Sequence, residues 1–384
     1  MQSFQQVTPP LRLFHGPECL KQLGRELDRL GSRRAVIFCG RTLSGDARMM
    51  GRLIEAMGDR CAGVYPGVQA HSPAVAVIEA AGELGRLRAD AVIAVGGGSA
   101  IVTARAASIL LAEKGDLASL ATSRDSTGRL VSPRLLAEKI PQVIVPTTPT
   151  TAMVKAGSAV LDTAAGERRA LFDPKTRAQS IFVHPDFVVS APPAMVLGSG
   201  LNTLAMAVEG LTSLSGNPLA DAALMQAMRL SVQHLPNAAA PDPAVRGALV
   251  LAAVLCGQGT DATGAGMVTA LGHIIGGRYH VENGIANAIT LPHALRFNAD
   301  RIGPGLEKIA AALGLETGSL AAVTKALDDL LQRLAIQHRL RDLPVPREAL
   351  PEIADLAMAD WFLRGNPRPI GTAAELMPVL EEMW

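Results

Sequence analysis

Hydrophobic and polar positions change rhythm partway along the chain. In the first half, short runs rich in Val and Ile stand between turn residues: Ala35–Cys39, Ala89–Val95 and Val143–Val145. Such continuous apolar runs fit strands buried on both faces of a parallel sheet. Between them, Leu43–Met57 and Ala74–Leu87 carry the spacing of amphipathic helices. Strand–helix–strand alternation predicts an open α/β sheet with right-handed crossovers. Near Pro192-Pro193 the pattern becomes almost wholly helical, with apolar positions recurring at three and four over Met195–Leu214, Leu219–Leu235, Ala244–Leu255, Leu306–Leu313 and Leu320–Leu334. The reading is two domains, 1–190 as a Rossmann-like dinucleotide-binding α/β domain and 191–384 as an all-α domain.

Composition narrows the function. At 384 residues and 48% apolar, the chain can bury an ample core. Lys plus Arg (36) balances Asp plus Glu (35), so no net field draws nucleic acid or an anionic membrane. Aromatics at 3% are too few for base-stacking platforms. Cys19, Cys39, Cys61 and Cys256 are scattered without a C-x-x-C pair, which fits reduced thiols and a cytoplasmic location. The stretch MQSFQQVTPPLRLF is not patterned as a secretory signal, and the longest apolar run, Ala248–Cys256, falls well short of the ~20 residues a bilayer requires. A small-molecule substrate is the expected partner.

P-loop, G-x-S-x-G, H-E-x-x-H and G-x-G-x-x-G patterns are absent. What remains is Gly96-Gly97-Gly98-Ser99, directly after a buried strand and before a helical stretch. Glycines admit a ligand close to the backbone, and the helix N-terminus offers unpaired N–H groups suited to a pyrophosphate. A tight turn with no ligand is equally compatible. Pro146-Thr147-Thr148-Pro149-Thr150-Thr151 also follows a strand. Its hydroxyls can meet phosphate or ribose, or else satisfy the turn's own backbone. Gly272-His273 through His280-Val-Glu282-Asn283 gathers two His, an Arg and a Tyr around Gly276-Gly277, where the helix is expected to break.

Taken in order, strand–GGGS–helix, PTT after a strand, Ser199-Gly-Leu-Asn202 to Met206-Ala-Val-Glu209, Gly272-His273 to Asn287 and Pro292-His293, and Asn366-Pro367-Arg368 resemble the iron-containing alcohol dehydrogenase family. That family shares its fold with dehydroquinate synthase. The resemblance spans nearly the whole chain. It implies a dinucleotide-binding α/β domain, a helical domain, an active site in the cleft between them, and a homodimer or larger even-numbered assembly.

The resemblance also implies a metal held by an Asp and a His four apart on the first long helix and by two later His. Those positions fall on Asn202, Met206, Thr269 and Asn283. Amide, thioether and hydroxyl groups suit Fe²⁺ or Zn²⁺ poorly, so no catalytic metal is expected. Asn202 and His273-Ile-Ile-Gly276-Gly277 are similar to maleylacetate reductases, a branch of the family that reduces a conjugated carbon–carbon double bond. The family's acidic and basic residues after GGGS fall on Val102 and Arg105, and the glycines expected after PTT are missing.

The resemblance implies NADH or NADPH held by Gly96, Gly97, Gly98, Ser99, Thr147, Thr148 and Thr151. Arg41, following Gly40 where a carboxylate holds the ribose in many members, would accommodate a 2′-phosphate. His273 would donate the proton, since imidazole titrates near working pH. Arg278, His280 and Lys155 would clamp a carboxylate or polarise a carbonyl. The leading expectation is a metal-independent NAD(P)H-dependent oxidoreductase. A lyase, dehydratase or isomerase on the same scaffold, using these residues with Tyr279 for acid–base chemistry, is the alternative, and a non-catalytic protein of the same fold is the third.

Overall fold

A computed structural model of the chain describes residues 3–113, 115–126, 130–163, 166–336 and 339–384. The chain divides into a unit spanning Pro9–Ala191 and a unit spanning Pro192–Trp384, with the residues up to Thr8 grouped with the latter.

The first unit is built on strands β1 (Arg12–His15), β2 (Ala35–Phe38), β3 (Cys61–Tyr65) and β4 (Ala91–Gly96). The short pair β5 (Ser123–Arg124) and β6 (Leu130–Val131) is followed by β7 (Gln142–Pro146), β8 (Gly157–Asp162), β9 (Glu167–Phe172) and β10 (Ala178–Val183). Six of them form one sheet in the order β1-β10-β7-β4-β2-β3, parallel throughout. Every residue of β2, β4 and β7 is buried, which is why these strands read as unbroken apolar runs.

Helices α1 (Leu23–Arg29), α2 (Arg41–Ser44), α3 (Ala47–Met57), α4 (Ala74–Arg86), α5 (Gly98–Glu113), α6 (Leu117–Leu120) and α7 (Pro185–Val188) complete the unit. The helix expected over Leu43–Met57 is two helices. Gly45 closes α2, and the Asp46 carboxylate accepts from the Met49 N–H at 2.9 Å to start α3 afresh. From β2 the chain moves outward to β3 and then returns to place β4 on the other side of β2. The carboxyl ends of β2 and β4 therefore flank a topological switch point, where open α/β sheets bind ligands. The β8–β9 hairpin is a feature the sequence pattern did not announce; Val160 and Leu171 pack with Val77, Ala106 and Ile109 of α4 and α5.

The second unit contains α8 (Pro193–Thr212), α9 (Pro218–His234), α10 (Pro243–Thr263), α11 (Met267–Tyr279), α12 (Asn283–Phe297), α13 (Gly303–Leu313), α14 (Leu320–Arg333), α15 (Leu350–Ala357) and α16 (Met377–Met383). Side-chain caps mark the starts: Asn217 for α9, Asp242 for α10 and Ser319 for α14. Helices α8 and α10 are long and apolar enough to cross a membrane by length and composition, but most of each is buried inside the protein.

The expected break at Gly276-Gly277 does not occur. Helix α11 runs through both glycines and ends at His280, which adopts a left-handed conformation at φ 54°. Gly276 is there for close packing: a Cβ would sit 2.0 Å from Asn283 Oδ1.

Candidate active site

In the first unit, β4 and β7 pair in register as far as Gly96 and Pro146, which sets the glycine turn beside the threonine turn. Thr147 N–H donates to the Gly96 carbonyl at 3.0 Å. Gly96 has φ 143°, a value side chains rarely tolerate, and it turns the chain into α5. Ala100 and Ile101 N–H groups close onto the Gly97 carbonyl, leaving the Gly98 and Ser99 N–H groups as first-turn donors at the positive end of a sixteen-residue helix. This donor set fits a pyrophosphate.

Thr147, Thr148 and Thr151 are buried, and Thr148 packs so close to Gly97 that a Cβ there would sit 2.9 Å from its Oγ1. Thr150 Oγ1 accepts from Ala152 N–H and opens the single turn Thr151–Val154. Ser99 Oγ accepts from His71 N–H at 3.1 Å, and Arg168 on β9 reaches His71 Nδ1 at 3.4 Å. Arg168 and His71 were missed from sequence because only the hairpin, invisible in the periodicity, brings them to the glycine turn. Arg105 is fully buried and donates to the carbonyls of Ala152 and Gly157 at 2.7 and 2.6 Å, fastening the Thr151–Val154 turn to α5. Lys155 ends that turn, half-buried. Arg41 opens α2 at the carboxyl end of β2, exposed, with Gly40 as the preceding cap.

In the second unit, the positions assigned to metal ligands by resemblance carry a hydrogen-bonded polar cluster. Asn287 Nδ2 donates to Asn202 Oδ1 at 2.9 Å, and Asn202 Nδ2 faces Met206 Sδ at 3.5 Å. The Thr269 hydroxyl donates to Glu209. Asn283 lies against Gly276. Among the described residues, no group of three or more His, Cys, Asp or Glu side chains could hold a metal ion. The donor set does not fit Fe²⁺ or Zn²⁺, because its best oxygens are neutral and already committed to hydrogen bonds.

Glu209 is nearly fully buried, and its oxygens accept from the N–H groups of Gly266, Val268 and Thr269 as well as the Thr269 hydroxyl. It caps the N-terminus of α11 from a neighbouring helix. Burial nevertheless pushes its carboxyl up to about 7. Asn366 exchanges hydrogen bonds with Asn298 in both directions, and Arg368 stacks over Phe297, so the Asn-Pro-Arg segment serves packing. His293 is buried between Arg296 and Glu382, and burial lowers its imidazole below the usual range.

His273 is half-buried on α11, with Nδ1 3.0 Å from Asp360 Oδ2 and its ring 5.5 Å from that of Phe362. The other Asp360 oxygen accepts from Phe362 N–H at 2.8 Å. One carboxylate therefore both caps the 361–365 turn and fixes the imidazole, leaving Nε2 for proton transfer. Asp360 was missed because it is 87 residues away in sequence. His273 and Arg278, five apart on one helix, point about 140° from each other. Arg278 is exposed and paired with Glu352. His280 lines a separate cavity of about 330 Å³ with Val281, Glu282, Ile285, Ile336 and Leu343. Lys155 belongs to the other unit. The four expected chemical groups thus do not form one cluster within either unit.

A glycine turn at the switch point of a parallel sheet and a held histidine in a helical unit are features that a nucleotide-dependent oxidoreductase would use. The chain belongs to the iron-containing alcohol dehydrogenase family: "Iron-containing alcohol dehydrogenase" matches residues 10–185, and "Fe-containing alcohol dehydrogenase family, C-terminal" matches residues 196–384. It is similar to maleylacetate reductase of Burkholderia cepacia, 29% identical over 94% of this chain and 92% of that protein. It is also similar to lactaldehyde reductase of Escherichia coli (strain K12), 28% identical over 97% of each. Among solved structures, a 1,3-propanediol oxidoreductase aligns with a TM-score of 0.87 at 26% identity, covering 98% of both chains.

Proposed function

We propose that this protein is an NAD(P)H-dependent reductase of a small carboxylated enone or carbonyl compound, and that it works without a catalytic metal ion. The observation that carries the reading is the amide at Asn202, where the resemblance assigns a metal ligand and where Oδ1 instead accepts from Asn287 Nδ2. Maleylacetate reductase among its relatives supports the substrate class. A double bond conjugated to a carbonyl is already electron-poor, so hydride addition needs less help from a Lewis acid than addition to a simple carbonyl does.

Gly98 and Ser99 N–H groups, with Gly96, Gly97 and the flanking Thr147, Thr148 and Thr151, would hold the pyrophosphate of the cofactor. Arg41 would face a 2′-phosphate, which favours NADPH over NADH. When bound, the nicotinamide supplies the hydride. His273, held at Nδ1 by Asp360, presents Nε2 as the proton donor. Arg278 pairs with Glu352, and Lys155 and His280 are the side chains proposed to meet a substrate carboxylate. Four free cysteines support a reducing, cytoplasmic setting, and an even-numbered homo-oligomer is part of the proposal.

The test is to titrate the protein with NADPH and NADH by nicotinamide fluorescence, then follow cofactor oxidation with maleylacetate and with lactaldehyde. Saturable NADPH binding and turnover of maleylacetate are expected. No binding of either cofactor at millimolar concentration would overturn the reading. Turnover without any added nicotinamide, lost in His273→Ala, would instead establish the lyase or isomerase alternative.

A further inference from the structure

If no metal ion polarises the substrate carbonyl, a side chain must, and on that reading we propose that the Asn202 amide is the hydrogen-bond donor to the substrate oxygen. The orientation of this amide is fixed from behind. Asn287 Nδ2 donates to Asn202 Oδ1 at 2.9 Å, so the oxygen end faces inward. Asn287 is 2% exposed and packed tightly against Gly272, where a Cβ would sit 1.7 Å from its Oδ1.

The nitrogen end is turned toward Met206, which is 7% exposed. Its nearest partner is Met206 Sδ at 3.5 Å, and a thioether is a weak acceptor. Among the described residues, no carbonyl or carboxylate accepts from Asn202 Nδ2. From Leu201 to Thr212 every residue of α8 is buried except Asn202. The helix thus has one opening in this stretch, and at that opening stands an N–H donor with spare capacity. Asn283 is half-buried beside the same helices.

Such a donor suits an oxygen on which charge grows. If the cofactor held at the glycine turn supplies a hydride to the β-carbon of the enone, a C–H bond would form there and the π pair of the double bond would move to give an enolate. The enolate oxygen accepts the Asn202 N–H as its charge develops. A proton delivered through His273 then forms the second C–H bond at the α-carbon and restores the carbonyl. One hydride and one proton are consumed, and NAD(P)H leaves as NAD(P)⁺.

Asn202→Asp keeps the shape and the acceptor for Asn287 but replaces the donor with a negative charge, and Asn202→Ala removes the donor without adding charge. Assayed with NADPH and maleylacetate in the presence of a chelator, Asn202→Asp and Asn202→Ala should each lose about 10²-fold or more in kcat. NADPH affinity should be unchanged. Met206→Leu, which removes the thioether and leaves the amide, should retain kcat. Wild-type kcat in either Asn202 variant overturns the proposal, as does a loss in Met206→Leu matching that of Asn202→Ala. Wild-type protein that fails to bind NADPH or to turn over the probe fails earlier, and that result counts against the reductase reading itself.

Discussion

A side-chain amide and a carboxylate have nearly the same shape, but only the amide can give a hydrogen bond as well as take one. At Asn202 the proposed metal-free mechanism rests on this difference. The cluster also makes its glycines sensitive. Gly272→Ala would drive a methyl group into Asn287 Oδ1, and overpacking of this kind costs about 1–3 kcal/mol. Denaturant unfolding should show that loss, and kcat should fall with it because Asn287 no longer orients Asn202.

Glu209 gives a second residue-scale test. Its carboxyl lies at about 7 in the folded protein against an ordinary 4.5. A group raised on folding contributes stability that is complete below its unfolded value and is lost as pH rises through its folded value. Stability should therefore decline between about pH 4.5 and pH 7 from this group. Glu209→Gln should flatten that part of the profile, as measured by unfolding midpoints across the range. An unchanged slope would show that Glu209 is ionised throughout.

At the scale of elements, the strands and long helices were legible because burial on two faces or on one leaves a periodic trace. The central runs Ala35–Phe38 and Ala91–Gly96 needed nothing else. Glycine misled the reading at Gly276-Gly277, where close packing against Asn283 outweighs the conformational cost of glycine in a helix. The β8–β9 hairpin was missed, and with it the route by which Arg168 meets His71. Of the candidate site, the glycine turn and His273 were legible from their neighbours in sequence. Asp360 and Asn287 were not, since nothing local marks a residue whose partner lies far along the chain.

Arg105 shows what such a distant partner is worth. Its planar guanidinium spans two carbonyls with separate nitrogens, a spread that a compact ammonium does not match. Arg105→Lys should cost about 2–3 kcal/mol, read from chemical denaturation. It should also weaken NADPH binding by loosening the turn beside Gly98. On α11, His273→Gln keeps a polar side chain without a transferable proton. It should lower kcat by about 10²-fold or more with little change in NADPH affinity.

For the whole molecule, the two units carry separable tasks. On the proposed function, the first would supply a switch-point turn for a dinucleotide, and the second a held imidazole and an amide donor. Binding of NADPH to the folded state alone should raise stability by about 2.7 kcal/mol at a concentration one hundred times its Kd. A thermal shift that grows with NADPH, and less with NADH, would support Arg41 as the contact to a 2′-phosphate. The most direct test of the central claim is metal content measured beside turnover, on protein purified anaerobically without chelators. The account predicts iron and zinc far below one ion per chain and NADPH-dependent turnover that survives prolonged chelation. One bound ion per chain, removed by the chelator together with activity and restored by adding it back, would contradict it.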